Sequence, residues 1–189
     1  MCGEASDTQG QILYGKRVFL RPMLLGDAEY VVRWRSDPEI LANIFAREPL
    51  TLASHLKWFQ SPRENRLDYI ICLREAEKPI GTVSFTNIDR GNLKAEAGKM
   101  LGDKSTWGKG LAKEATILWL SFGFRELGLN LIYERTLSTN HRNIELNKKL
   151  GYKVEGVLRE DYRDKGEFLD VTVMSIRRSE AKELGIYDF

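Results

Sequence analysis

A chain of 189 residues with 42% hydrophobic and 30% charged side chains is long enough for one domain with a sizeable core, and its composition argues against a disordered or fibrous chain. Lys+Arg 29 against Asp+Glu 27 leaves a net charge of +2, which does not mark a nucleic-acid binder and gives no reason for membrane attraction. Two cysteines, Cys2 and Cys72, make neither a disulfide framework nor a zinc site, and no His/Cys/Asp spacing suggests a metal, so none is expected.

Residues 1–11 lack the basic start and apolar run of a signal peptide and are expected to be a frayed tail ahead of a single domain over 12–189 in a cytoplasmic protein. Lys16–Met23 alternates as a strand, with Val18 and Leu20 on one face, and Pro22 ends its ladder. Asp27 can cap a helix carrying Tyr30, Val31 and Trp34, which should stop near Ser36 because Asp37 precedes Pro38. A second helix is expected over Thr51–Phe59. Asp68–Leu73, Pro79–Thr86 and Leu93–Leu101 then read as an antiparallel meander. The period changes at Gly110–Leu127, where Leu111, Ala115, Leu118, Trp119 and Phe122 recur at helical spacing before Gly128. A strand at Leu131–Thr136, a helix at Asn140–Leu150 and strands at Tyr152–Leu158 and Phe168–Ile176 complete the order. This is an α+β pattern around one mixed sheet. The β–α–β stretch Leu93–Thr136 requires at least one parallel pair. The longest mostly apolar run, Ala115–Phe124, is too short to span a bilayer.

The chemistry concentrates in Met100–Ala115, MLGDKSTWGKGLAKEA, where a strand ends, a glycine turn follows and a helix begins. Gly108 and Gly110 allow close backbone approach. The helix start offers unpaired N–H groups and the positive dipole end, and Lys109 and Lys113 add charge, which together suit phosphate or pyrophosphate. The loop is neither a Walker A motif nor the dinucleotide fingerprint: Leu111 follows GKG, and Lys113 stands where the third glycine would be.

Trp107-Gly108-Lys109-Gly110-Leu111-Ala112, followed after a strand by Asn143 through Gly151-Tyr152, resembles the acetyl-CoA-binding half of the GNAT-superfamily N-acetyltransferases. Trp107 stands where Gln or Arg is usual, as in ribosomal-protein acetylases. The resemblance implies a splayed mixed sheet flanked by helices and acetyl-CoA as co-substrate. Its pantetheine arm would lie between the strands ending at Leu101 and Thr136, against the backbone of Met100 and Leu101 and the side chains of Asn140 and Asn143. The N–H groups of Gly108, Lys109, Gly110, Leu111 and Ala112 would hold its pyrophosphate, with Lys113 beside them.

Acetyl transfer to an amine needs a base, oxyanion support and a tolerated thiolate. Glu96 is the acidic residue of its strand. A carboxylate on a central strand is costly unless paired or functional, so Glu96 is the candidate general base. The alternative pairs it with Lys94 or Lys99 at a solvated edge. The family's usual acid, a tyrosine four residues before the Gly-Tyr pair, is replaced by Asn147. Its amide is the catalytic candidate on the thiol side, with Tyr133, Tyr152 or a water as alternatives.

The N-terminal half is similar to nucleotide-amino-sugar N-acetyltransferases of the pseudaminic-acid pathway. That similarity implies a UDP-linked 4-amino sugar acceptor met by Arg35, Ile44, Phe45 and His55; Arg and His suit a pyrophosphate, and Phe45 a uracil ring. A protein N-terminal or polyamine acetyltransferase and a non-catalytic acyl-CoA-binding domain remain the alternatives. A homodimer is compatible with the sequence.

Overall fold

The computed structural model describes residues 10–187 apart from Arg47 and Arg63, so most of the expected tail lies outside the described residues. Among them, β1 (Leu13–Tyr14), β2 (Val18–Pro22), β3 (Leu67–Leu73), β4 (Pro79–Asp89), β5 (Lys94–Leu101), β6 (Leu131–Leu137), β7 (Lys153–Asp164) and β8 (Glu167–Arg177) form one sheet in the order β1-β2-β3-β4-β5-β6-β8-β7. The helices are α1 (Ala28–Arg35), α2 (Pro38–Leu41), α3 (Leu52–Gln60), α4 (Leu111–Arg125), α5 (His141–Lys149) and α6 (Arg178–Leu184). The α+β reading with one mixed sheet is what the chain adopts. β1, α2 and α6 have too few residues to show a period in sequence and are additions to it.

Period-two patterning decides which side of each strand is buried. Val18, Leu20, Ile71, Val83, Phe85, Ala95, Ala97 and Ile132 form the floor of the main core. Onto it α4 lays Trp119, which stacks on Phe85 with centroids 4.5 Å apart and on Phe122 at 5.3 Å. On the opposite face Met23, Ile70 and Cys72 pack with Val31 of α1 and with Phe19, Leu50, Trp58 and Phe59, and α1 and α3 cover it. Each large apolar side chain buried this way is worth roughly 1.5–3 kcal/mol. Asp27 stands at the start of α1, but its carboxylate does not cap that helix. It accepts from Arg21 at 2.8 and 2.7 Å and from the Leu24 N–H at 2.8 Å, which turns the chain from β2 into α1.

The pairing between β5 and β6 positions everything functional. It is the sheet's one parallel pair, with α4 as its crossover, and it holds for three residue pairs: Lys94–Leu131, Ala95–Ile132 and Glu96–Tyr133. Beyond Glu96 the strands part. β5 stays paired to β4 as far as Leu101, and β6 to β8 as far as Leu137. A wedge therefore opens through the middle of the sheet and joins its two faces.

Gly102 closes β5, its N–H donating to the Ile80 carbonyl at 2.8 Å. The indole of buried Trp34, from α1, fills the space a Cβ would need at this position. Gly102→Ala should push α1 off the sheet and cost about 1–3 kcal/mol or more, read as a lowered urea midpoint. An unchanged midpoint would contradict this packing.

Candidate active site

Gly108 and Gly110 both have φ near +75°, at 75° and 74°, a conformation that disfavours any side chain. Gly110 is the cap of α4 and offers no side-chain acceptor, so the first-turn N–H groups are left for a ligand. Arg17 clamps the loop from behind. Its Nη1 donates to the Lys109 carbonyl at 2.9 Å and its Nε to Glu114 at 2.8 Å. Glu114 in turn accepts from the main-chain N–H groups of Arg17 at 2.6 Å and Val18 at 3.2 Å. Trp107 braces the other side: its indole N–H donates to the Leu101 carbonyl at 3.0 Å, and the Arg142 guanidinium lies 5.2 Å over its ring.

The wedge and this loop open into one cavity of about 1180 Å³, larger than the ~300–1,000 Å³ typical of a single-ligand pocket. Its lining brings together Glu96, Met100, Leu101, Gly108, Gly110, Leu111, Ala112, Lys113, Asn140 and Asn143, and at the far end Arg35, Phe45 and His55. Lys109 is the exception within the loop. It is exposed outside the lining, because Arg17 holds its carbonyl and turns the residue outward. Lys113, Arg142 and Lys149 carry the positive rim instead.

The wedge edge of β5 follows from strand alternation. The Leu93 carbonyl accepts from the N–H groups of Asn130 and Leu131 on the β6 side. The carbonyl of Ala97 and the main-chain groups of Lys99 and Leu101 therefore point into the wedge, past the end of the ladder. Those of Met100 turn toward β4, so this residue lines the cavity through its side chain and not through its backbone, a correction to the expected strand-like contact. The Leu101 carbonyl is already taken by Trp107. Ala97 and Lys99 hold the open edge that an extended, amide-bearing arm would complete.

On the α5 wall, Asn143 Nδ2 donates to Glu134 at 2.5 Å and to the Thr136 hydroxyl at 3.2 Å. With both hydrogens committed, its Oδ1 is the group left for a ligand. Asn140 caps α5, accepting from the Asn143 N–H at 3.2 Å, and donates to the Asn43 carbonyl at 3.2 Å. Asn147 does not face the cavity and so departs from its expected role. It is 0% exposed, its Oδ1 accepts from Lys99 at 2.7 Å and its Nδ2 meets the Met174 sulfur at 3.8 Å. One turn beyond Asn143, α5 has sunk onto β8, which buries the amide. The sequence reading missed its partner, the Lys99–Glu134 ion pair at 2.6 Å. The available signal was a lysine and a glutamate, Lys99 and Glu134, on two strands joined by the crossover helix.

Glu96 projects to the opposite face. It pairs with neither Lys94 nor Lys99; its Oε2 accepts from Asn87 Nδ2 at 2.9 Å. Asn87 sits at φ 51° where β4 shifts register between Thr86 and Asp89, a bulge that aims its amide at the carboxylate. Burial, and then the charge of Glu96, push the Tyr133 hydroxyl above the usual tyrosine range, so it is a protonated donor at neutral pH. Tyr152 is fully buried away from the cavity lining, and burial raises its hydroxyl further.

At the far end, Arg66 donates through Nε to both Asp68 oxygens at 2.9 and 2.7 Å and lies 4.9 Å over Trp58. His55 is 3% exposed, with its ring 5.1 Å from Trp58. Phe45 meets Tyr162 edge-on at 5.2 Å, with Arg135 5.7 Å over its ring. Burial, and then the like charge of Arg66, push the Arg35 guanidinium below its usual value. Its Nε is buried with no hydrogen-bond partner among the described residues. Cys72 is buried and burial pushes its thiol up, which leaves it inert at neutral pH. Among the described residues no group of His, Cys, Asp and Glu could hold a metal ion, and no helix is long and apolar enough to cross a membrane.

Residues 17–153 match the family model of the acetyltransferase (GNAT) domain. The chain is 34% identical over 179 residues to the N-acetyltransferase p20 of Bacillus licheniformis, covering 90% of this chain and 98% of that one. It is 28% identical to the spermidine N(1)-acetyltransferase of Escherichia coli over 84% of this chain and 85% of that one. Its fold superposes with a TM-score of 0.83 on the Vibrio cholerae spermidine N-acetyltransferase in complex with CoA and spermine, at 20% identity, covering 89% of this chain and 99% of that one.

The clamp behind the loop is testable without a ligand. The Glu114 carboxyl loses solvation on burial, but its hydrogen bonds from Arg17 and Val18 outweigh that and hold it below the usual carboxylate range. Its contribution is therefore complete above the unfolded value near 4.5 and is lost as pH falls through the lower folded value. Glu114→Gln should lower the urea midpoint at pH 6 and flatten its fall below pH 4.5. A variant whose midpoint tracks the parent at both ends would exclude the clamp.

Proposed function

The chain belongs to the GNAT acetyltransferase family, and from that premise we propose that it moves acetyl from acetyl-CoA to a primary amine on a small molecule that also carries an anionic group. The family establishes the enzyme class and the acetyl-CoA co-substrate. The acceptor and the residue roles are our reading. The nucleotide-linked 4-amino sugar inferred from the sequence is one member of the proposed acceptor class.

The observation that carries the acceptor is Arg35. Arg66 is neutralised by Asp68, and Arg135 pairs with Asp161, but Arg35 brings a buried guanidinium nitrogen with no bonded partner to the cavity wall. A guanidinium with an unspent buried donor favours phosphate or carboxylate, which it binds in a planar, two-point manner, over a polycation. This weighs against the polyamine reading that the similarity to the E. coli spermidine enzyme suggests. Phe45, Trp58 and His55 add flat faces suited to a ring.

In this reading the N–H groups of Gly110, Leu111 and Ala112 hold the donor's pyrophosphate beside Lys113. Ala97, Lys99 and Asn143 meet the pantetheine amides in the wedge. Glu96, oriented by Asn87, takes the amine proton directly or through a water. The amine nitrogen then attacks the thioester carbon, the tetrahedral oxyanion collapses, the C–S bond breaks, and CoA leaves as a thiolate that takes up, through solvent, the proton the adduct nitrogen sheds. Asn147 is too deeply buried to serve the sulfur, and Tyr133, registered beside Glu96 across the ladder, is a protonated hydroxyl next to the base.

Glu96→Gln should lower kcat at neutral pH by roughly 10²-fold or more while leaving acetyl-CoA binding intact. Unchanged turnover across pH would remove Glu96 as base. Thiol release should be fastest with anionic amines, a UDP-4-amino sugar among them, and slow with spermidine. Arg35→Gln should raise KM for the anionic amine about 10–100-fold, the loss of a charged hydrogen bond, without moving KM for acetyl-CoA. Preferred turnover of spermidine by the parent would reject this acceptor class.

A further inference from the structure

We propose that Lys99 is a positioning residue whose ion pair with Glu134 sets the width of the wedge between β5 and β6, and with it the affinity for the acyl donor. This rests on the reading that the donor's arm lies in the wedge. Paired strands stand about 4.7–4.9 Å apart, too close to admit a chain between them. The wedge must therefore be wider than a ladder, yet no main-chain bond spans it beyond Glu96 and Tyr133. Without a strut, β5 and β6 could close into a longer ladder or drift apart.

The side chains supply the strut. Lys99 on β5 donates to Glu134 on β6 at 2.6 Å and to Asn147 on α5 at 2.7 Å, so one ammonium ties together the three elements that wall the wedge. Its side chain is 9% exposed and that of Glu134 6%, so water competes weakly for either. The second oxygen of Glu134 accepts from Asn143, which is also bonded to Thr136. The same carboxylate thus spaces the strands and orients the amide that faces the arm. A buried ion pair is a poor source of stability, because desolvation cancels much of the attraction. Fixing a geometry that a ligand needs is the use consistent with its place at the fork.

The test begins with acetyl-CoA binding to the parent by calorimetry, since absence of binding would overturn the wedge reading itself. Lys99→Met leaves a buried carboxylate uncompensated and can fail to fold. The paired replacement Lys99→Met/Glu134→Leu removes both charges and should retain the parental melting temperature within a few degrees. It is expected to raise the acetyl-CoA Kd and KM at least tenfold while kcat at saturating donor stays within about threefold. Lys99→Arg, which keeps a cation at the fork, should recover most of the affinity. A folded paired variant that binds acetyl-CoA as tightly as a binding-competent parent would overturn the inference and leave the wedge reading standing. A fall in kcat with Kd unchanged would also overturn it, since Lys99 would then act on the reacting atoms.

Discussion

The structure depends on a parallel ladder that stops after three pairs. Backbone groups in a sheet interior are normally bonded on both sides. Here β5 and β6 each keep one neighbour and surrender the other from Ala97 and Glu134 onward. The orphaned edges are tolerated because they face a cavity, and the buried Lys99–Glu134 pair holds them apart where hydrogen bonds no longer do. The fork also explains how two substrates approach one another. The glycine loop and α5 lie on one face of the sheet, Glu96 and Arg35 line the cavity toward the other, and the wedge is the passage between them.

The loop at the mouth of the wedge works by subtraction. Two glycines in left-handed conformation remove the side chains that would block approach, and the cap of α4 leaves its N–H groups unspent. Such a loop is soft unless held from behind. Arg17, 92 residues earlier in the chain than Lys109, holds it while Glu114 gathers the start of β2 onto the first turn of α4. The loop thus borrows its rigidity from the opposite end of the sheet. The net charge of +2 averages over an asymmetry of the same kind, with Lys113, Arg142 and Lys149 around one mouth of the cavity and mutually neutralised pairs such as Arg66–Asp68 elsewhere in it.

Much of this was legible in the sequence. The strand and helix periods, the crossover at α4, the glycine loop and the faces of Glu96 and Asn143 all follow from spacing that short-range geometry enforces. The misreadings share one cause. Asn147, Lys109 and the Met100 main chain sit in correctly identified elements, but their direction depends on contacts from distant parts of the chain. Asn147 is buried by β8, Lys109 is turned outward by Arg17, and the direction of the Met100 peptide follows from which neighbour β5 keeps at that point.

The sequence alone determined the order of elements, the acyl-CoA type of loop and the one acidic residue on the strand beside it, because these are encoded by residues within a few positions of one another. Tertiary structure decided which charges are partners. Lys99 meets Glu134 across 35 residues, Glu96 turns to Asn87 and not to its neighbouring lysines, and the buried Nε of Arg35 is left without a bonded partner. Those outcomes depend on where a bulge falls and where a ladder ends, and no local pattern in the chain records either.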